Sequence, residues 1–194
     1  MRSRSYGFLA LVAVLALVGG CKTTVVAPPA PRQPAVVYII DHGRTSSLLL
    51  PDVQGGHVRY AYGDWTYYAL ARRGFLQGAT AILLPTRATL GRMAYPAMRD
   101  RRDVRHYFGA KAQDLHPVAV EQARANRLKS RLDNQFVRYR LTLVRNEPYD
   151  MEFVWHPTPY TGANSSNRMV ARWLRELGCE VEGAALFANW TVVH

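Results

Sequence analysis

The chain has 194 residues, 48% of them hydrophobic and 20% charged, a composition that fits one compact domain and excludes a disordered or fibrous protein. Lys and Arg number 25 against 14 Asp and Glu, a net charge of +11 that falls to +9 once Arg2 and Arg4 are set aside with a leader segment. Two cysteines, Cys21 and Cys179, are too few for a disulfide framework or a Cys-rich zinc site.

Residues 1–20 start basic with Arg2 and Arg4, continue apolar from Phe8 to Val18 and close on Gly19-Gly20. The apolar run, about 11 residues, is too short for the roughly 20 that a membrane-spanning helix needs, and the order of its parts is that of a bacterial export signal. Leu17-Val18-Gly19-Gly20-Cys21 resembles the lipobox of bacterial lipoproteins. The resemblance implies acylation of Cys21 and cleavage before it, and two or three acyl chains anchor a protein stably where one would not. Lys22, not Asp, follows the cysteine, which by resemblance to Gram-negative sorting rules implies the outer membrane, facing the periplasm. Nucleic acid is a poor partner for an exported chain. Residues 21–34 hold four prolines and no acidic residue, so they read as the lipidated cysteine and an extended tether, with the folded domain over 35–194.

Ala35 to Ile40 is a β-branched and aromatic run that predicts a strand buried on both faces, ended by Asp41-His42-Gly43. Ser46 to Leu50 predicts a second strand, and His57-Val58-Arg59-Tyr60-Ala61-Tyr62 alternates like a third, all in one antiparallel sheet. Asp64 is placed to cap a short helix through Trp65, Tyr68 and Leu70, and Ala79 to Leu84 predicts another strand. Arg87 to Asp114 shows no clear period and reads as loop with one or two short helices; it carries the basic cluster Arg99, Arg101, Arg102 and Arg105. Pro117 suits a first helical turn, and Val120, Arg124, Leu128, Leu132 and Phe136 recur every four residues, which predicts a helix over 117–134. Arg138–Val144 and Met151–Trp155 read as a hairpin around Asn146-Glu147-Pro148-Tyr149. Asn164-Ser165-Ser166-Asn167 opens a helix over 165–177 whose stripe is Met169, Val170, Trp173, Leu174 and Leu177, closed by Gly178; Leu186 to Val193 gives a last strand. The expected class is α+β, helices on a mainly antiparallel sheet.

The sequence carries no glycine-rich phosphate loop, no His-Glu-x-x-His and no Gly-x-Ser-x-Gly, and its six histidines are scattered, so no cofactor or metal is expected. His42-Gly43-Arg44-Thr45-Ser46-Ser47-Leu48-Leu49-Leu50-Pro51, then Tyr62-Gly63-Asp64-Trp65-Thr66-Tyr67-Tyr68, then Asn164-Ser165-Ser166-Asn167 resembles the bacterial lipoprotein family numbered 2459 among domains of unknown function. That family looks like a circularly permuted papain fold, in which a Cys thiolate at a helix N-terminus works with a strand His. The resemblance puts Thr45 where the His is expected and Ser166, or Ser165, where the Cys is expected. A shifted alignment would let His42 or His57 serve as base. Two readings follow: a non-catalytic, degenerate papain-like binding or envelope-structural module, or a Ser/His hydrolase or acyltransferase acting on an amide or ester of lipid or peptidoglycan. In either, His42, Arg44, Thr45, Tyr62, Asp64, Trp65 and Tyr68 are the candidate cleft residues for an acidic or acyl ligand. Arg99, Arg101, Arg102 and Arg105 are a candidate contact for anionic lipid or peptidoglycan. Cys179 falls at the wrong end of its helix for dipole activation and reads as an inert thiol.

Overall fold

The computed structural model describes residues 22–71, 84–96, 100–109 and 112–193. Among these, ten strands form: Thr23–Val26 (β1), Pro34–Asp41 (β2), Ser46–Pro51 (β3), His57–Asp64 (β4), Thr86–Tyr95 (β5), Asp114–Glu121 (β6), Val144–Asn146 (β7), Met151–Tyr160 (β8), Glu180–Glu182 (β9) and Trp190–Val193 (β10). The α-helices are Trp65–Tyr68 (α1), Arg101–Phe108 (α2), Gln122–Arg138 (α3) and Ser166–Glu176 (α4). The class is α+β. Seven strands make an antiparallel sheet in the order β6-β2-β3-β4-β5-β8-β7, and β10-β1-β9 make a small second sheet.

Both faces of the large sheet are covered, which is why β2 and β3 read as continuous apolar runs. Leu48, Leu50, Val58, Tyr60, Tyr62 and Leu90 join the main core with α3, α4 and the small sheet. Leu49 faces the other way, with Tyr38, Ile40 and Val104 and Phe108 of α2. Farther along that second face, Ala69, Trp65 and Tyr68, in and just after α1, pack with Met151 and Phe153 of β8. The helix stripe read from the sequence is the buried face of α4: Val170, Trp173 and Leu174 are at most 1% exposed, and Gly178 closes the helix at φ 93°. Leu174→Ala should therefore cost on the order of 2–5 kcal/mol in urea unfolding. A loss below about 1 kcal/mol would mean that the α4 face is not core.

Five expectations change. The tether begins as structure: Thr23–Val26 pairs in parallel with β10 and antiparallel with β9, and Val25 is fully buried, because Thr-Thr-Val-Val is a β-branched run with two open edges to join. Arg87–Tyr95, read as loop, belongs to β5, an interior strand hydrogen-bonded to β4 and β8; mixed residues such as Arg92 and Met93 hid its period. Pro117 lies in β6, paired with Tyr38, and the helix starts only at Gln122. An edge strand tolerates a proline because one side of its backbone needs no partner. Residues 138–143 extend or follow α3 rather than form a strand, so the hairpin is made by β7 and β8 alone, and the last strand starts at Trp190. The strand expected at 79–84 falls, but for Leu84, outside the described residues.

Candidate functional site

Successive residues of a strand point to opposite faces, and β3 uses this to give two adjacent serines different work. Ser46 turns toward α4: its Oγ donates to Asn167 Oδ1 at 2.9 Å and accepts from Trp190 Nε1 at 2.7 Å. Asn167 Nδ2 in turn donates to the Arg44 carbonyl at 3.0 Å. The start of α4 is thereby held against Arg44–Ser46. Ser47 turns the other way, into a cavity of about 180 Å³ lined by His42, Thr45, Ser46, Ser47, Arg59, Ala61, Tyr62, Tyr68, Pro148, Tyr149, Met151 and Phe153.

The cavity has a polar end and an apolar end. At the polar end Arg59 Nε donates to Ser47 Oγ and Nη2 donates to His42 Nε2, both at 2.9 Å, while Ser47 Oγ lies 2.9 Å from the same His42 Nε2. A guanidinium only donates, so Nε2 accepts; its one lone pair is shared between Arg59 and the Ser47 hydroxyl, which places the proton of a neutral His42 on Nδ1. Arg59 also hydrogen-bonds the Tyr95 phenol and lies over the Phe108 ring at 5.7 Å. At 6% exposure it is a buried cation whose direct partners are all uncharged. Among the described residues no carboxylate is within ion-pair distance of it, and Asp150, which acts on it through space, is bonded to Arg145 at 2.8 Å. Burial pushes the Arg59 pKa down, and Tyr95 and Asp150 only oppose that.

The apolar end is walled by Tyr68, Tyr149, Met151 and Phe153, with Tyr68 and Tyr149 rings 5.1 Å apart. Gly63 makes this wall possible, since a Cβ there would sit 2.2 Å from the Tyr68 ring. Burial raises the Tyr68 phenol well above its ordinary range, and the hydroxyl hydrogen-bonds Thr45. A short ligand with one polar head and an apolar or aromatic body matches this division, in space equal to about six waters.

Of the residues singled out from the sequence, His42, Thr45, Tyr62 and Tyr68 line the cavity. Arg44 does not: it is exposed, and only its carbonyl takes part, holding Asn167. Asp64 caps α1 through the Tyr67 amide at 2.9 Å and binds the Thr86 hydroxyl at 2.5 Å, so it is structural. Trp65 packs edge-on to Trp155 at 6.0 Å, outside the lining. His57 is at the far end of the β3–β4 hairpin, paired with Pro51, where burial pushes its pKa down and it contacts Tyr38. Ser166 is 2% exposed, Ser165 occupies the cap of α4 without a side-chain cap bond, and neither is hydrogen-bonded to a histidine among the described residues. The serine that meets a histidine is Ser47. Cys179 is buried and its thiol is pushed up to about 11, which keeps it protonated. Arg102 and Arg105 are exposed on α2, whereas Arg99 and the Arg101 side chain lie outside the described residues.

Arg59 and Ser47 were absent from the candidates, although one signal pointed to Arg59. A strand paired with one buried on both faces has no free face, so an outward arginine in β4 must be covered too. Among the described residues no three His, Cys, Asp or Glu side chains come together as a metal site would require. No family model, curated protein or solved structure matches the chain, so the likeness to the lipoprotein family and to the papain fold rests on the motifs alone.

Proposed function

We propose that the chain is an exported lipoprotein, held through Cys21 in the outer membrane and facing the periplasm, whose domain is a non-catalytic binding module. Anchoring is supported by Arg2, Arg4, the apolar run Phe8–Val18 and the lipobox-like Val18-Gly19-Gly20-Cys21. The degenerate papain-like reading is supported by the seat of the α4 N-terminus against Arg44–Ser46. The observation that carries the binding reading is Arg59, a buried cation with neutral partners beside an apolar cavity. Such a charge costs several kcal/mol to desolvate, and an anionic ligand offsets that cost when it binds. The ligand class is a small carboxylate with a short acyl or aromatic body.

Calorimetric titration with a series of short aliphatic and aromatic carboxylates tests this against the matched primary alcohols and amines. Saturable binding confined to the carboxylates is expected, and equal binding of the alcohols would remove the role given to Arg59. Intact mass of the mature chain tests the anchor: an N-terminal Cys21 carrying acyl chains is expected, and cleavage elsewhere ends the lipoprotein reading.

One observation favours the alternative of a hydrolase or acyltransferase, the 2.9 Å contact between Ser47 Oγ and His42 Nε2. Against it, His42 would have to take the Ser47 proton while Arg59 donates to the same nitrogen, setting two cations within 2.9 Å. A fluorophosphonate probe separates the two readings. The binding module leaves Ser47 unlabelled; labelling that disappears in both Ser47→Ala and His42→Ala establishes the enzyme.

A further inference from the structure

The chain enters the fold with almost no slack after Cys21. Only Lys22 separates it from β1, so the two residues span at most about 7 Å. Thr23 N donates to the Asn189 carbonyl at 3.1 Å, and Gly183 lies against the Lys22 carbonyl. The loop between β9 and β10 is therefore next to the point where the chain leaves the described residues. Its tip exposes two large apolar side chains, Leu186 at 41% and Phe187 at 45%. Beside Gly183–Ala185 a surface groove is lined by Arg168, Arg172 and Arg175 from α4. Arg172 and Arg175 are exposed, tied to Asn164 and to the Val181 carbonyl, and the buried Arg168 Nε has no hydrogen-bond partner. Glu180 and Glu182 of β9 flank Val181, whose carbonyl Arg175 holds, and set against Lys22, Arg168, Arg172 and Arg175 they leave an excess of two positive charges.

We propose that this face, with Leu186 and Phe187 at its tip and Lys22, Arg168, Arg172 and Arg175 around them, rests on the anionic phospholipid surface in which Cys21 is anchored. The orientation rests on the Cys21 reading, since acyl chains at that position leave no tether to let the domain turn away. Exposed Leu and Phe enter the headgroup region, and arginines around them meet lipid phosphates, the combination by which peripheral segments hold a bilayer. The α2 arginines are not needed for it.

The test uses the full acylated chain in nanodiscs containing phosphatidylglycerol, spin-labelled at Phe187→Cys or, as reference, at Val53→Cys. Val53 follows β3 at the end opposite Ser46 and is 71% exposed. The label at 187 should collide more with oxygen than with an aqueous nickel chelate, and the label at 53 the reverse. The preference at 187 should fall at least twofold in Arg168→Gln/Arg172→Gln, with an unchanged melting curve reporting an intact fold. Equal nickel access at the two positions, or a preference at 187 untouched by the arginine changes, overturns the proposal. Intact mass of the same sample shows whether Cys21 is acylated. If it is not, the anchoring reading fails by itself, and the face is then judged by sedimentation of that chain with phosphatidylglycerol vesicles: arginine-dependent binding upholds it and no binding refutes it.

Discussion

Arg59→Met should make the protein more stable and abolish carboxylate binding. Arg59 is 6% exposed and its direct partners, Ser47, His42 and Tyr95, are neutral, so the folded state carries the desolvation of a cation with no counter-charge beside it among the described residues. Methionine fills similar volume without that cost, and Ser47 and His42 remain hydrogen-bonded to each other. Replacing buried charge by apolar side chains is neutral or stabilises by about 1–4 kcal/mol, and the same direction is expected here. The loss of the charge-assisted contact should weaken carboxylate binding by on the order of 100-fold or more. Thermal unfolding and titration calorimetry on the same two proteins check both halves. A variant that melts lower, or binds a carboxylate as tightly as the wild type, would show that Arg59 is there for the fold and not for a ligand.

Asp133→Ala should be among the most damaging single changes outside the apolar core, with a loss of about 3 kcal/mol. Asp133 on α3 accepts from the Tyr60 hydroxyl at 2.7 Å, from Arg92 Nε at 2.7 Å and from Lys129 at 2.8 Å, and Lys129 also reaches Asp52 at 3.2 Å. It thus ties α3 to β4 and β5, and its removal takes the acceptor from a buried phenol and from the partly buried Arg92, and leaves Lys129 with Asp52 alone. Asp133 is itself 26% exposed, which keeps the figure at the lower end for a broken pair. Burial alone would raise its pKa, but the hydrogen bonds from Lys129, Tyr60 and Arg92 more than reverse that and hold it below 3.8. A carboxyl depressed in the folded state stabilises fully above its unfolded pKa and loses that contribution as the pH falls through the folded value. Asp52 is lowered as well, by the Gln54 amide and Lys129 acting against burial. Wild-type stability should accordingly fall as the pH drops below about 4, and that slope should be shallower in Asp133→Ala. Urea midpoints between pH 2 and 7 measure it, and parallel curves would remove Asp133 from the acid transition.

Local pattern determined the elements whose surroundings are simple. Ala35–Ile40 and Ser46–Leu50 could be read as strands because a run buried on both faces needs no help from its neighbours to look apolar. The stripe Met169, Val170, Trp173, Leu174 and Leu177 fixed the buried face of α4, and Gly178 its end, since a left-handed residue suits glycine. His42, Thr45, Tyr62 and Tyr68, singled out through the resemblance of their motifs, line one cavity, while Arg44, Asp64 and Trp65, singled out with them, do not. Periodicity failed where pairing and not pattern makes the strand: β5 is held by β4 and β8, and Pro117 is acceptable only because β6 is an edge.

What the amino-acid order determines by itself is the α+β class, the first antiparallel strands and the face of α4, all set by residues within a few turns of one another. Tertiary structure alone decided which of two adjacent serines meets a histidine, because the sidedness of β3 has meaning only once α4 covers one face and the cavity the other. It also decided that Arg59 is buried with no anion beside it among the described residues, and that β1 docks beside β10. Those facts depend on strands far apart in sequence coming together, and on the low dielectric they then create around a charge.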